Sequence, residues 1–456
     1  MTFDPVLIGS SEDPYRFGAP VHIVPAARRR HLALFGASGA GKSSLMRNML
    51  AEDILAGHGV TVVDPHGQLV EDILENHIPR HRTNDVIYFN PKDRTRAFAL
   101  NLFDCRHEGQ RGLVVSNVIG IFKKLWADSF GPCMEDILRN GLHALIEQPR
   151  PVSIIALPKL LMDKSYRAEV LAEVRNPAVL DFFHNTYDKW DNRFREEAIS
   201  PVLNKCRAFL TDPLLRAVIG QTRSSFDFRE AMDSRKIILC DLSKGEIGAD
   251  NATLLGSVIV MQEKLAALSR SDIPESARVD HFLFAEEAHN FIGDFESILA
   301  ENRKFKLYLA VCLQQLEAIS RETAAAIFTN AANLIAFRVS STDAERLRDE
   351  FTMVFPGAVI QDLADYKAYV RTLTCDDTGC RPMEPVRIAT YPPFTRTINA
   401  EWRSKIERTS NERYTKPRAE VEAAIAKFLL SQSNGNEESQ RLPIKKQQLR
   451  RRSPKA

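Results

Sequence analysis

The sequence predicts an α/β fold with a central, mostly parallel sheet and an all-α block inserted into it. Three observations predict this. Short apolar runs rich in Val, Ile, Leu and Phe alternate with helical segments in both halves of the chain, the pattern of a parallel sheet covered on both faces. One such run leads into a glycine-rich loop and then a helix. Between them, residues 108–230 carry apolar positions at three- and four-residue spacing with few strand-like interruptions, as in LVVSNVIGIFKKLW and DILRNGLHALIE.

Taken in order, HLALFG (31–36) reads as a buried strand, followed by a helix over about 42–56. GVTVV (59–63) is a second strand, ending in DPHG, and VIYF (86–89) a third. After the helical block, strands return at KIILC (236–240), FLFA (282–285), LYLAVC (307–312), LIAFRV (334–339) and KAYVRT (367–372). The expected organisation is therefore 1–107 and 231–400 as two parts of one domain, with 108–230 inserted. A helical extension over 401–430 follows, then a disordered tail over 431–456. That tail is polar and carries Lys445, Lys446, Arg450, Arg451, Arg452 and Lys455. It is read as a solvated tail, with nucleic acid or acidic lipid as the alternative contact.

With 456 residues, 44% of them hydrophobic, the chain can bury a full core. Its net charge of +2 excludes general polyanion binding, so any nucleic-acid contact must use local basic patches. Seven scattered cysteines fit a reducing compartment. Cys375 and Cys380, in CDDTGC, are the close pair, without a second pair at the spacing of a metal site. The N-terminus lacks the plan of a signal peptide, and no run reads as a membrane span. A cytoplasmic location is expected, with docking at the inner face of a membrane complex as a further option.

GASGAGKS (36–43) fits G-x-x-x-x-G-K-[ST] in the strand-then-helix context that the motif requires. Gly36, Gly39 and Gly41 let the backbone turn its N–H groups inward onto phosphate oxygens, and the helix N-terminus adds a positive dipole end. The expected nucleotide-binding set is Gly36, Ala37, Ser38, Gly39, Ala40, Gly41, Lys42, Ser43 and Ser44. Lys42 would reach the β- and γ-phosphates of ATP, and Ser43 would ligate Mg²⁺.

Such a loop needs acids on a neighbouring strand. FLFAEEAHNF (282–291) ends an apolar run in two carboxylates. In one register Glu286 stands on the metal side and Glu287 acts as base toward water; in another, Ala285 takes the metal position and Glu286 is the base. Asp64, ending the strand at 59–63, either touches the nucleotide pocket or closes an Asx turn before Gly67. Gln314, after LYLAVC, could bond both the water and the γ-phosphate. Arg303 precedes that same strand, at its far end, and could serve a neighbouring subunit as an arginine finger; Arg338 is the competing candidate.

Together these stretches resemble the FtsK/HerA superfamily of hexameric motor ATPases, and within it the TraG-like conjugative coupling proteins of type IV secretion. GASGAGKSSL, VTVVDPHGQLVEDIL, NDVIYFNP with NLFD, ILCDLSKGEIG, FLFAEEAHNF, ENRKFKLYLAVCLQQLEAI and NLIAFRVSSTDAERL carry the resemblance over about 31–350, in the family's order. It implies a RecA-like P-loop fold, a homo-hexamer with ATP sites at subunit interfaces, and DNA moved through a central channel. It also implies catalytic roles for Lys42, Glu287, Gln314 and Arg303, and a relaxase or secretion-channel proteins as further partners. Two departures stand out: no transmembrane helices lead the chain, and Glu286 stands where Asp is usual. An ATPase that energises protein secretion, or a nucleotide-switched recruitment module with little turnover, are the rival functions.

Overall fold

The structure, a computed structural model, describes residues 5–105, 108–291, 295–351, 358–376, 378–393 and 400–430. The N-terminal half holds strands β1 (Val6–Ser11), β2 (Pro20–Ile23), β3 (Leu32–Phe35), β4 (Gly59–Asp64), β5 (Val86–Phe89) and β6 (Arg96–Phe98). Next come β7 (Ile237–Asp241), β8 (His281–Ala285), β9 (Leu307–Leu313), β10 (Asn333–Ala336) and β11 (Lys367–Arg371). The last are β12 (Leu373–Asp376), β13 (Gly379–Pro382), β14 (Val386–Ala389) and β15 (Thr415–Pro417).

Eleven of these form one sheet in the order β2-β1-β14-β11-β10-β3-β9-β8-β4-β7-β5. From β10 to β5 every pairing is parallel. These are the apolar runs expected from sequence, since a strand covered on both faces needs apolar side chains on both. Alternation then divides them. Ala33 and Phe35 of β3 face one core and Leu32 and Leu34 face the other. The second core is closed by the helices Lys42–Leu55 and Gln68–Asn76 through Leu45, Met46, Met49 and Ile73.

The other edge adds β1, β2 and β14, which were not read from the sequence, to a sheet that stays mostly parallel. β11, β14, β1 and β2 add on antiparallel, giving a mixed sheet. β2 and β14 are short and only partly buried, so they lack the continuous apolar run that marks the central strands.

All described elements between β6 and β7 are helical. Several begin at an acid or amide whose side chain accepts a backbone N–H two or three residues on: Asp163, Asn176, Asp191, Asp212 and Asp227. These caps punctuate the block. Its apolar faces share one core with the sheet and with the helix Ala249–Ser269, so the block is anchored to the strands rather than tethered to them. Among the described residues, one helical stretch, Ala249–Asp272, is long and apolar enough to cross a bilayer; 89% of its apolar window is buried in this core.

The expected extension is two helices, Ala400–Tyr414 and Arg418–Leu430, joined by β15, which pairs with β6. Val421 and Ile425 pack on Ile155 and Ala217 of the helical block. The expected disordered tail, 431–456, lies outside the described residues. The expectation of thiols kept reduced is corrected at one place. Cys375 and Cys380 stand opposite each other in the β12–β13 hairpin and are disulfide-bonded.

Candidate active site

The site is built at the C-terminal ends of the parallel strands, where loops from neighbouring strands converge. β3 delivers the glycine loop. Gly41 has φ 116° and caps the helix Lys42–Leu55. A side chain there would meet Phe337 at 3.1 Å and the Tyr366 ring at 3.0 Å, so both conformation and space require glycine. Lys42 is 6% exposed, and its Nζ donates to the carbonyls of Gly36 at 2.5 Å and Ala37 at 2.8 Å. Burial lowers its pKa, against the pull of Glu286 and Glu287. The loop is tied to the sheet from behind: Ala37 N–H donates to the Arg338 carbonyl at 2.7 Å, and Tyr366 N–H donates to the Ala40 carbonyl at 2.9 Å. Ser38, Gly39, Gly41, Lys42, Ser43 and Ser44 line a cavity of about 380 Å³ that also takes in Glu286, Glu287, Gln314, His66, Cys312 and Tyr366.

β8 brings the acids. Glu286 continues the strand, its N–H donating to the Val63 carbonyl at 3.1 Å, and its carboxyl accepts a hydrogen bond from the Ser43 hydroxyl. Ala285 instead faces the core. Glu286 is therefore the acid that meets Ser43, and the extra methylene relative to Asp carries the carboxyl across to it. Burial, then the nearby Asp64 carboxylate, push its pKa up to about 7. The oxygens of Ser43 and Glu286, in contact with each other, are hard donors of the kind Mg²⁺ takes.

Glu287 turns away from the strand into the left-handed region at φ 45°. A residue other than glycine there costs about 1–2 kcal/mol and must be held by its surroundings. Four donors hold this one: Gln314 Nε2 at 2.6 Å, His66 Nε2 at 2.9 Å, Lys244 Nζ at 3.1 Å and Asn290 Nδ2 at 3.1 Å. Behind the turn, Phe291 packs where a side chain at Gly256 would otherwise stand, 2.2 Å from its ring. Burial favours the protonated acid, but the bonds from His66 and Lys244 outweigh it and hold the pKa at about 2. Glu287 is thus a fixed anion beside the cavity.

Gln314 directly follows β9, where the sequence placed it. Asp64 does not line the cavity. Its carboxylate accepts from the N–H groups of His66 and Leu69 at 2.8 Å and Val70 at 3.1 Å, the Asx-turn alternative, and it abuts Glu286 from below. Arg303 is exposed on the turn before β9, and the seven-residue strand puts roughly 23 Å between it and Gln314. Arg338 pairs with Asp365 at 2.8 Å on the same edge as the glycine loop. His66, Lys244, Asn290 and Tyr366 were not found from sequence. His66 and Lys244 follow strands ending in Asp within two or three residues, in DPHG and DLSKG, and that position at the carboxyl edge of a parallel sheet was an available signal.

Residues 15–107 match the family model of the HerA helicase central domain. No curated protein matches by sequence. Among solved structures, the unbound bacterial conjugative coupling protein TrwBdeltaN70 is similar with a TM-score of 0.59 and 17% identity, over 87% of this chain and 92% of that one. TrwB in complex with ADP and Mg²⁺ is similar with a TM-score of 0.56 and 17% identity, over 84% of this chain and 89% of that one. TrwB with a non-hydrolysable ATP analogue gives 0.57 and 17%, over 88% and 96%. Residues 15–107 thus match the HerA helicase central domain, and the chain as a whole has the RecA-like P-loop NTPase fold of the conjugative coupling protein TrwB.

Proposed function

We propose that this protein is a Mg²⁺-dependent ATPase motor that assembles as a homo-hexameric ring and translocates DNA, working in the cytoplasm or at the inner face of a membrane complex. The observation that carries the ATPase reading is the convergence of Lys42, Ser43, Glu286, Glu287 and Gln314 on one cavity at the carboxyl edge of the sheet. DNA, the ring, and a relaxase or secretion channel as partners rest on the resemblance to coupling proteins.

In this reading the loop amides and Lys42 bind the phosphates, Lys42 giving up its bonds to Gly36 and Ala37 for the β- and γ-oxygens. Ser43 and Glu286 hold Mg²⁺, which when bound neutralises phosphate charge. Glu287 accepts a hydrogen bond from a water and directs its oxygen at the γ-phosphorus. The bond to the β–γ bridging oxygen breaks, ADP leaves with that electron pair, and the water's protons pass to Glu287 and the phosphate. Gln314 touches Glu287 and faces the γ-phosphate, so it relays the state of that phosphate to β9. Arg303 reaches the phosphates of a neighbouring subunit.

The test is ATP hydrolysis by the full chain with and without single- and double-stranded DNA across a salt series. Stimulation that fades with salt is expected, because phosphate contacts release counterions. Hydrolysis indifferent to DNA at every salt would assign the motor to a protein substrate. Lys42→Ala should abolish turnover; an unchanged rate would overturn the site.

A further inference from the structure

We propose that Tyr366 is the stacking platform for the nucleotide base. The inference rests on the reading of the glycine loop as a nucleotide site. Strand order supplies the geometry. β3, which carries the loop, has β9 and β8 on one flank and β10 and β11 on the other. Glu286, Glu287 and Gln314 come from the first flank and form the polar, anionic end of the cavity, suited to the γ-phosphate and metal. Tyr366 precedes β11 on the opposite flank and lines the same cavity.

Three observations single this ring out. It is 46% exposed although it lies against the Gly41 backbone, so one face is packed and much of the rest is open. Its backbone is left-handed, at φ 63°, a conformation a bulky residue adopts only when its surroundings impose it. Those surroundings are specific. Tyr366 N–H donates to the Ala40 carbonyl at 2.9 Å, and its own carbonyl accepts from Thr390 N–H at 2.9 Å and Thr390 Oγ1 at 3.1 Å. The ring's position is thereby fixed to the phosphate loop. An aromatic face held open beside a phosphate cradle is the chemistry that takes a heterocyclic base, since every base has a π-face to stack.

The test compares binding of ADP and of inorganic tripolyphosphate, which has the phosphates and no base, to the full chain by calorimetry. Tyr366→Gly removes the ring and also relieves the left-handed backbone, so it is not expected to unfold the loop. ADP affinity should fall roughly 10- to 100-fold, the range of a lost base–aromatic stack, with tripolyphosphate affinity changed less than about twofold. Tyr366→Phe should retain ADP binding. Unchanged ADP affinity in Tyr366→Gly, or an equal loss for tripolyphosphate, would overturn the assignment, the latter because the ring would then support the loop and not the base. If the unsubstituted protein bound neither probe, the nucleotide site itself would fail, and the platform with it.

Discussion

Gln314 donates to Glu287 across 2.6 Å, joining the ends of two adjacent strands, β9 and β8, at the mouth of the cavity. If Glu287 directs water and Gln314 reports the γ-phosphate through it, the two substitutions should separate binding from turnover. Glu287→Gln and Gln314→Ala are each expected to bind ATP near the unsubstituted affinity while hydrolysis falls at least about 100-fold for Glu287→Gln and about 10-fold for Gln314→Ala. Nucleotide titration beside single-turnover hydrolysis checks this; a parallel loss of affinity would place the residues in binding instead.

Lys244 reaches Glu287 at 3.1 Å and Asn290 at 2.9 Å from the start of the short helix Lys244–Ile247 that follows β7. It fixes the acid's position and favours its ionised form. In Lys244→Met, the pKa of Glu287 should rise from about 2, because a cation that lowers it is gone. The acid limb of the pH–rate profile should move to higher pH, with the maximal rate down by about tenfold or more. A lowered rate with an unmoved acid limb would mean that Lys244 acts elsewhere.

Arg303 lies at the far end of β9 from its own cavity, so the proposed role as a finger would require a second subunit. Arg303→Ala and Lys42→Ala should each be inactive alone. Mixed in equal amounts, about a quarter of the interfaces of a closed ring would pair an intact Lys42 with an intact neighbouring Arg303, and activity should return to about that fraction. A mixture as inactive as its parts would place Arg303 outside the reaction.

Gly256 gives Phe291 its seat. An Ala there gains about 1 kcal/mol in helix propensity but puts a methyl 2.2 Å from the ring, and overpacking of that kind costs about 1–3 kcal/mol. The clash should win locally by moving Phe291, and with it the turn that orients Glu287. Gly256→Ala should therefore lose hydrolysis more than thermal stability. Melting and turnover of the same sample decide it; a purely structural role would lower both together.

Glu263 is wholly buried, bonded by Thr61 at 2.5 Å, and burial pushes its carboxyl up to about 7 from 4.5. A raised folded-state value means that ionisation opposes folding: the penalty is absent below pH 4.5, grows as pH rises through 7, and is complete above it. Its full size is about 3 kcal/mol. Glu263→Gln removes the ionisation, so its melting temperature should climb relative to the parent between about pH 5 and pH 8. A constant difference across that window would mean that Glu263 ionises over the same pH range in the folded and unfolded chain.

Local chemistry made part of this protein legible. The phosphate loop is contiguous, so Gly36 to Ser44 declare themselves by residue type and order alone. The seven parallel strands are continuous apolar runs because each is buried on both faces. Glu286 and Glu287 were found because they end such a run. The strands β1, β2 and β14 were not: β1 breaks its apolar run at Gly9, Ser10 and Ser11, and β2 and β14 are partly exposed and need no such run.

What the tertiary structure decided was convergence. β3 and β4 are consecutive in sequence among the core strands, yet β9 and β8 lie between them. That order brings Ser43, Glu286 and Gln314 together, sets Asp64 behind Glu286, and carries His66 and Lys244 onto Glu287. The left-handed turn at Glu287, which sends two adjacent carboxylates to different partners, depends on Phe291 finding Gly256 thirty-five residues earlier in the chain. Tyr366 likewise meets the glycine loop only because β11 folds back antiparallel beside β10. The sequence by itself determined which chemical groups the site would contain. Which of them touch was decided by strand order, a property of packing between distant segments that no stretch of sequence carries alone.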